Sequence, residues 1–594
     1  MAPQRRIRVA IVGGGISGIA QAVRLQEALG DKKAEVTIYE RSNEAGGVWR
    51  DSRWAGAAVD VPIHLYCLYS HLNPDFSSHW AGRDEVLAYW KRIVAKHRLG
   101  DRFIFKVEFV GSHWDSLSQT HTITFRRVES GETFEVEADV LISATGALNR
   151  PITPKVPGRD DFRGLQWHSS RWNTDVDLKG KKIAIVGNGS SGIQVIPNIA
   201  DLEGIEIVQF VRSPGYFRPK HNFEYSRLQK LVFRYVPFAL RLYRWKIYYD
   251  YDYTILSRGT GTFASDLREK LSQGVVDYMK KTMPDEYHNA LIPKYPMHCK
   301  RVAYDGGWLA SLNKPNVSLT ASPITRVTPT GLETADGKQY DVDIIVWATG
   351  FEVSETGVGL NHNVVGEDGK ELRATWKERQ GAFGYRGIAA PNVPNYFIVL
   401  GPNAIAQNWG WTLGHNTEYI ARLIRGMYDR NLCSIVVKAS IMDSYNEFLG
   451  NRLAQTSLSS AECGTSWYKD PITGKIVAPA PWGASTSLFF FFFFSSAPLI
   501  CPLQIAVENG KTDPNILPPF VLPARSGVVD LYAQDPLGGL ALPTLGRRTL
   551  LLFAVVGAET GPSRGQIAAD VDAVGPLHGL ARAQNPEATR EAYD

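Results

Sequence analysis

Two short glycine runs carry the first chemistry legible in this chain. Gly13-Gly14-Gly15-Ile16-Ser17-Gly18 and Gly187-Asn188-Gly189-Ser190-Ser191-Gly192 each place glycine at the first, third and sixth positions. At this spacing the first glycine permits a tight turn and the second lets the backbone approach a pyrophosphate. The third lets a helix pack closely on its strand, and the positive end of that helix favours the negative charge. The strands that follow differ. AEVTIYE, after the first run, ends in Glu40, a carboxylate able to accept from both hydroxyls of a ribose. IEIVQFVRS, after the second, ends in Arg212-Ser213. A guanidinium pairs with a ribose 2′-phosphate, which a carboxylate would repel. The two runs predict two dinucleotides, FAD at the first and NADPH at the second.

The elements around these runs set the expected architecture. IRVAIV (7–12) and KKIAIV (181–186) are short apolar runs of the kind that form buried parallel strands. Each leads through its glycines into helical spacing, giving a strand–turn–helix–strand unit. VLISATG (140–146) and IIVWATG (344–350) are apolar strands ending in Ala-Thr-Gly, and each marks a crossing between domains. The expected fold class is α/β, with two Rossmann-like dinucleotide-binding domains and the NADP domain inserted into the FAD domain. The expected boundaries are 1–150 for the first part of the FAD domain, 151–314 for the NADP domain, and 315–482 for the second part of the FAD domain. Residues 223–256 interleave aromatics with Arg and Lys. They are expected to form a helix pair packed on the NADP domain with snorkelling basic side chains. The alternative is an amphipathic surface for membrane contact or apolar substrate entry. Residues 483–594 open with Phe489 to Phe494 and then run through Pro, Gly and Ala without periodicity. They read as a mostly disordered, low-complexity tail.

Composition narrows the function classes. A net charge of +5 over 594 residues is too small for a nucleic-acid binder with a concentrated basic face. The five cysteines, Cys67, Cys299, Cys433, Cys463 and Cys501, show no metal or redox spacing, and most of them read as core residues in a reducing compartment. No apolar segment precedes the first strand and no run is long enough to span a bilayer, so a cytoplasmic location is expected. The absence of a paired active-site cysteine motif argues against a disulfide as electron acceptor and favours oxygen.

The chain resembles the class B flavoprotein monooxygenases and, more narrowly, the type I Baeyer–Villiger monooxygenases. Phe162, Gly164, His168 and Trp172 stand at the spacing of that family's fingerprint, followed by Asn173 where the family has Pro or Asp. A second family pattern appears as Gly46, Gly47, Trp49, Trp54, Ala55, Gly56 and Asp60, with Trp-Ala in place of an aromatic-Pro pair. The resemblance covers about residues 5–482. It implies that Arg301, of Cys299-Lys300-Arg301, is the catalytic arginine, oriented by Asp60, with Lys300 near the nicotinamide cofactor. It implies FAD contacts at Gly47, Trp49, Tyr66 and Val107, and a late flavin-proximal loop at Gly401-Pro402-Asn403 and Gly414-His415-Asn416. His168 and Trp172 are expected to have a structural or gating role, and Trp467-Tyr468 is expected to be core. The implied reaction inserts one atom of O2 into a bulky apolar ketone of secondary metabolism, giving an ester or lactone, in a monomer or dimer. N- or S-oxygenation or epoxidation by the same flavin cycle is the alternative. A non-catalytic redox-responsive flavoprotein is the third reading.

Overall fold

The computed structural model describes residues 5–353, 363–405, 409–464 and 466–481. The tail expected at 483–594, and Trp482 before it, lie outside the described residues. Ten strands build two parallel sheets: β1 (Ile7–Val12), β2 (Ala34–Glu40), β3 (Phe103–Phe105), β4 (Val140–Ser143), β5 (Leu165–His168), β6 (Lys182–Val186), β7 (Glu206–Phe210), β8 (Val317–Thr320), β9 (Ile344–Trp347) and β10 (Tyr396–Ile398). The first sheet has the order β10-β4-β1-β2-β3, and the second β8-β7-β6-β9-β5. In the first, Ile11 lies between Ile38 and Ile142. In the second, Ile183 lies between Ile207 and Ile344. Their strands are central in each sheet, and successive residues, which point to opposite faces, are buried from Val9 to Val12 and from Ile183 to Ile185, which is what the continuous apolar runs in the sequence require.

Each glycine turn leads into a helix, α1 (Ile16–Lys33) in the first sheet and α2 (Ser190–Ile199) in the second. The crossings at Ala144 and Ala348 serve as floors under these turns. A Cβ on Gly13 would stand 2.5 Å from the Ala144 carbonyl oxygen, and one on Gly187 would collide with that of Ala348. Both glycines have positive φ, +110° and +118°, so side chains are excluded by conformation as well as by space.

The boundary expected at residue 314 is corrected. β8 pairs with β7 and β9 pairs with β6, so the second sheet needs residues 317–347. The chain returns to the first domain at the Ala-Thr-Gly of 348–350, because the strand before it completes the inserted sheet.

The insert also sits elsewhere than expected. Helices α3 (Arg227–Tyr235) and α4 (Ala239–Leu256) form, with Ser226 and Gln229 making a reciprocal capping box at the start of α3. They pack mainly on the first domain, while Tyr253 near the end of α4 also meets the core of the NADP domain. Phe233 and Leu240 enter the first domain's core with Tyr225 and Tyr243. His64, fully buried, has the Phe233 and Tyr243 rings each 5.7 Å from its own. Burial holds the His64 imidazole neutral, its pKa lowered to about 3. Aromatic spacing in the sequence does not say which domain supplies the partner surface.

The cysteines are corrected too. Cys299 and Cys463 form a disulfide across 164 residues of chain, with Cα atoms 4.9 Å apart. Cys67 is free and buried, and Cys433 is free and exposed. The pair stands far apart in sequence and shows no spacing signal, and cysteine usage no longer argues for a reducing compartment. Protein denatured without reductant should therefore titrate two fewer thiols than after reduction. Cys463→Ser should lower unfolding stability by about 2–4 kcal/mol in denaturant titrations.

Candidate active site

One cleft of about 690 Å³ takes its walls from both domains. At one end lie Gly13, Gly15, Glu40, Gly47, Trp49 and Val107 from the first domain. At the other lie Gly189, Ser190, Ser191, Arg212 and Ser213 from the second. Asp60, Tyr66, Lys300 and Arg301 also line it. Both glycine turns are therefore ends of one cavity, of the size expected for small-molecule and cofactor sites.

The two ends fit dinucleotides for the same physical reasons. Helices α1 and α2 start at Gly15 and Gly189, neither with a side-chain cap, so their first N–H groups remain open to an anion. Nothing lies within 4 Å of a Cβ position on Gly189, and only the Gly47 Cα, at 3.5 Å, lies near that of Gly15. A ligand can therefore approach the backbone at both. Gly18 and Gly192 are closed by packing: a Cβ on either would strike the carbonyl oxygen of Gly13 or Gly187. Glu40 accepts from the Gly14 N–H at 2.6 Å and the Ser42 N–H at 2.8 Å, which fixes a carboxylate where ribose hydroxyls would donate. Each carboxylate oxygen keeps a second lone pair for that purpose. Trp49 donates from its indole N–H to the Tyr66 hydroxyl at 3.0 Å. Burial raises the Tyr66 pKa, keeping that hydroxyl neutral.

At the second end two cations converge. Burial lowers the Lys300 pKa, and the nearby Arg212 guanidinium lowers it further. The Lys300 ammonium stands over the Tyr295 ring, 5.0 Å from its centroid. Two cations forced together suit an anion with more than one charge, such as a 2′-phosphate.

Between the ends, Arg301 Nη2 and Asp60 Oδ2 are 2.6 Å apart, each side chain about one third exposed to the cleft. Burial works against the Arg301 charge, but Asp60, with Tyr468, Tyr251 and Tyr304 around it, outweighs burial and raises its pKa. The guanidinium is thus a permanent cation held by a carboxylate from the other domain.

The comparisons agree with this arrangement. Residues 7–226 match the pyridine nucleotide-disulphide oxidoreductase family, a match that takes in both glycine turns and ends within the inserted domain. The structure superposes on "Oxidized steroid monooxygenase bound to NADP" with a TM-score of 0.70 at 25% identity, covering 83% of this chain and 98% of that one. It superposes on "Closed crystal structure of cyclohexanone monooxygenase" with a TM-score of 0.71 at 22% identity, covering 83% and 98%. "FAD-binding monooxygenase ktnD" of Aspergillus niger is 32% identical over 487 residues, 78% of this chain and 77% of the relative. "Baeyer-Villiger monooxygenase" of Streptomyces coelicolor is 30% identical over 473 residues, 78% and 87% of the two chains. The chain belongs to the Baeyer–Villiger monooxygenase family. It is a flavin-dependent monooxygenase rather than a disulfide reductase, and neither Cys299 nor Cys463 lines the cleft.

Within this monooxygenase the fingerprint residues stand outside the cleft. Phe162 is core of the inserted domain, and a Cβ on Gly164 would press on the Phe162 ring. Trp172 packs edge-on against Trp167, with centroids 5.7 Å apart. His168 Nδ1 accepts from the Ser170 N–H at 3.1 Å, and its ring meets Phe351, just past the return crossing, with centroids 5.4 Å apart. Burial lowers its pKa to about 4, so it is neutral at pH 7. The fingerprint braces the joint between the domains. The second pattern does so from the other side: Trp54 donates to Gln194 Oε1 at 3.1 Å, and Gly56 has no room for a Cβ beside Asn198.

The late loop acts through packing. Asn416 Oδ1 accepts from the Leu400 N–H at 3.2 Å, and Leu400 lines the cleft. Asn403 donates to the carbonyls of Ile476 and Pro479, at 3.0 and 3.1 Å. Gly414 and His415 stand outside the cleft lining, and His415 packs on Trp411 with centroids 4.3 Å apart. Trp467 corrects the expectation of core: it lines the cleft, as do Trp409 and Phe351. The disulfide explains how it gets there, since Cys463 tethers its segment to the residue preceding Lys300. The pairing brings the Trp467 segment to the cleft that Arg301 also lines.

The geometry sets three outcomes. Gly13→Ala should remove bound flavin, read as loss of the visible absorbance band, whereas Gly187→Ala should keep it and lose NADPH binding. Arg212→Ala should lower the NADPH-over-NADH preference in kcat/KM by about tenfold or more, the loss of one charge-assisted contact. Because the Lys300 pKa is depressed, its charge is present at low pH and lost as pH rises through that pKa. The KM for NADPH should therefore climb on the alkaline side at lower pH than an ordinary lysine would dictate, and Lys300→Ala should flatten the rise.

Proposed function

We propose that the chain binds FAD in the first cradle and NADPH in the second, and oxidises a bulky apolar ketone to an ester or lactone. In the overall reaction one oxygen atom of O2 enters the ketone and the other leaves as water, with NADPH and a proton supplying the two electrons and the hydrogens. The observation that carries this reading is the Arg301–Asp60 pair, 2.6 Å apart in the cleft that both cradles share.

Gly13, Gly15 and Gly18 would hold the FAD pyrophosphate with Glu40 on its ribose, and Trp49, Tyr66 and Val107 would flank the flavin. Gly187, Gly189, Ser190, Ser191 and Gly192 would hold that of NADPH, with Arg212, Ser213 and Lys300 on its 2′-phosphate side. Bound together, the cofactors supply hydride transfer and the activation of oxygen. Arg301 then offers a fixed cation where negative charge develops. Asp60 positions Arg301 without touching substrate. Trp409, Trp467, Leu400 and Phe351 give the site an apolar wall suited to a polyketide or terpenoid ketone of secondary metabolism.

Arg301→Ala should lower ester formation by about 10²–10³-fold, the usual loss of one charge-stabilising donor, while NADPH still reduces the flavin. Asp60→Ala should act in the same direction and less strongly. The check is stopped-flow flavin reduction beside product mass with a ketone and a thioether. A gain of one oxygen on the ketone supports the reading, and full ester formation by Arg301→Ala overturns it.

A further inference from the structure

Helices α3 and α4 bury one side, and the other is exposed among the described residues. Large hydrophobic side chains exposed to solvent gather there: eight of the eighteen among the described residues lie between Leu228 and Leu256. Leu228, Leu231 and Tyr235 follow one another along a single face of α3, opposite the buried Phe233. Val236 and Phe238 continue the strip around the turn, and Trp245 extends it onto α4. Leu228, Tyr235 and Phe238 are 71%, 69% and 67% exposed, more than a water-facing helix needs to show.

Charge on the same segment is mostly of one sign. Residues 227–256, which span both helices, hold six cations against two acids, Asp250 and Asp252, in a chain whose whole net charge is +5. Arg227, Arg234, Arg241 and Lys246 are exposed. Arg234 pairs with Asp75 and Lys246 with Asp250, while Arg241 lies 5.9 Å from the centroid of the Phe238 ring. Apolar side chains ringed by cations match the acyl boundary and anionic headgroups of a lipid leaflet. The backbone supplies a separate observation. Phe238 adopts a left-handed φ of +64° at the start of α4, a costly conformation for a bulky residue, and it turns an apolar ring outward where an Asn would fit without strain. No helix among the described residues is long and apolar enough to cross a membrane, so such a contact would lie in the plane of the interface.

We propose that the α3–α4 face docks on an anionic lipid surface, Leu228, Leu231, Tyr235 and Phe238 entering the acyl boundary while Arg227 and Arg241 meet the headgroups. The experiment is co-sedimentation of the flavin-loaded full chain with vesicles of phosphatidylcholine alone and of phosphatidylcholine mixed with phosphatidylserine. Binding is read by flavin absorbance, without substrate, so failure of the oxygenase reading would leave the result intact. The expected result is binding to the mixed vesicles, weakened by salt, and weaker binding to the neutral ones. Leu231→Asp with Phe238→Asn should reduce it at least tenfold with flavin content unchanged. Arg227→Glu with Arg241→Glu should abolish the preference for phosphatidylserine. Absence of binding, or binding that neither pair alters, overturns the proposal. So does light scattering that shows a dimer broken by the same substitutions, which would make the face a contact between copies of this chain.

Discussion

The ion pair between Arg301 and Asp60 is where the two halves of this molecule meet in chemistry. Asp60 follows the docking segment of the first domain, and Arg301 lies on the segment that leads from the inserted helices back toward β8. A guanidinium in a half-closed cleft is expensive to desolvate unless a carboxylate faces it. The pair therefore requires the domains to hold a fixed relation, and much of the surrounding structure maintains that relation. Trp54 and Gly56 seat the first domain on α2, the fingerprint around His168 and Trp172 braces the return crossing, and the Cys299–Cys463 disulfide ties the arginine segment to the wall that carries Trp467.

The two cradles repeat one solution. In each, a positive-φ glycine lies against the carbonyl of an Ala-Thr-Gly crossing, and a helix opens at an uncapped glycine. The differences sit at the end of the next strand, where Glu40 is locked by two backbone N–H groups and Arg212 crowds Lys300. The shared scaffold thus carries opposite charges at its two strand ends, and residues of both turns line one cleft between the domains. The apolar wall there comes from residues far apart in sequence, among them Phe351, Leu400, Trp409 and Trp467.

What the chain reveals by itself is what local backbone geometry enforces. A glycine that must take positive φ, an apolar run that must be buried on both faces, and an acid or arginine at a strand end are properties of a few consecutive residues. The glycine turns, the parallel strands and the charge difference at their ends were legible for that reason, while membership of the Baeyer–Villiger monooxygenase family showed as a resemblance in the motifs around Asp60 and His168. The extent of the inserted domain was not, because β8 and β9 join the second sheet through pairing with β6 and β7, and the sequence does not say which sheet an apolar strand will enter. The same limit hid the side of the molecule on which α3 and α4 lie, since Phe233 and Leu240 would suit any apolar surface and it is the first domain's core, with His64 against Phe233, that takes them. Cys299 and Cys463, and through them Trp467, became neighbours only when the chain closed on itself. Contacts across 164 residues are set by the packing of whole domains, which no local pattern encodes.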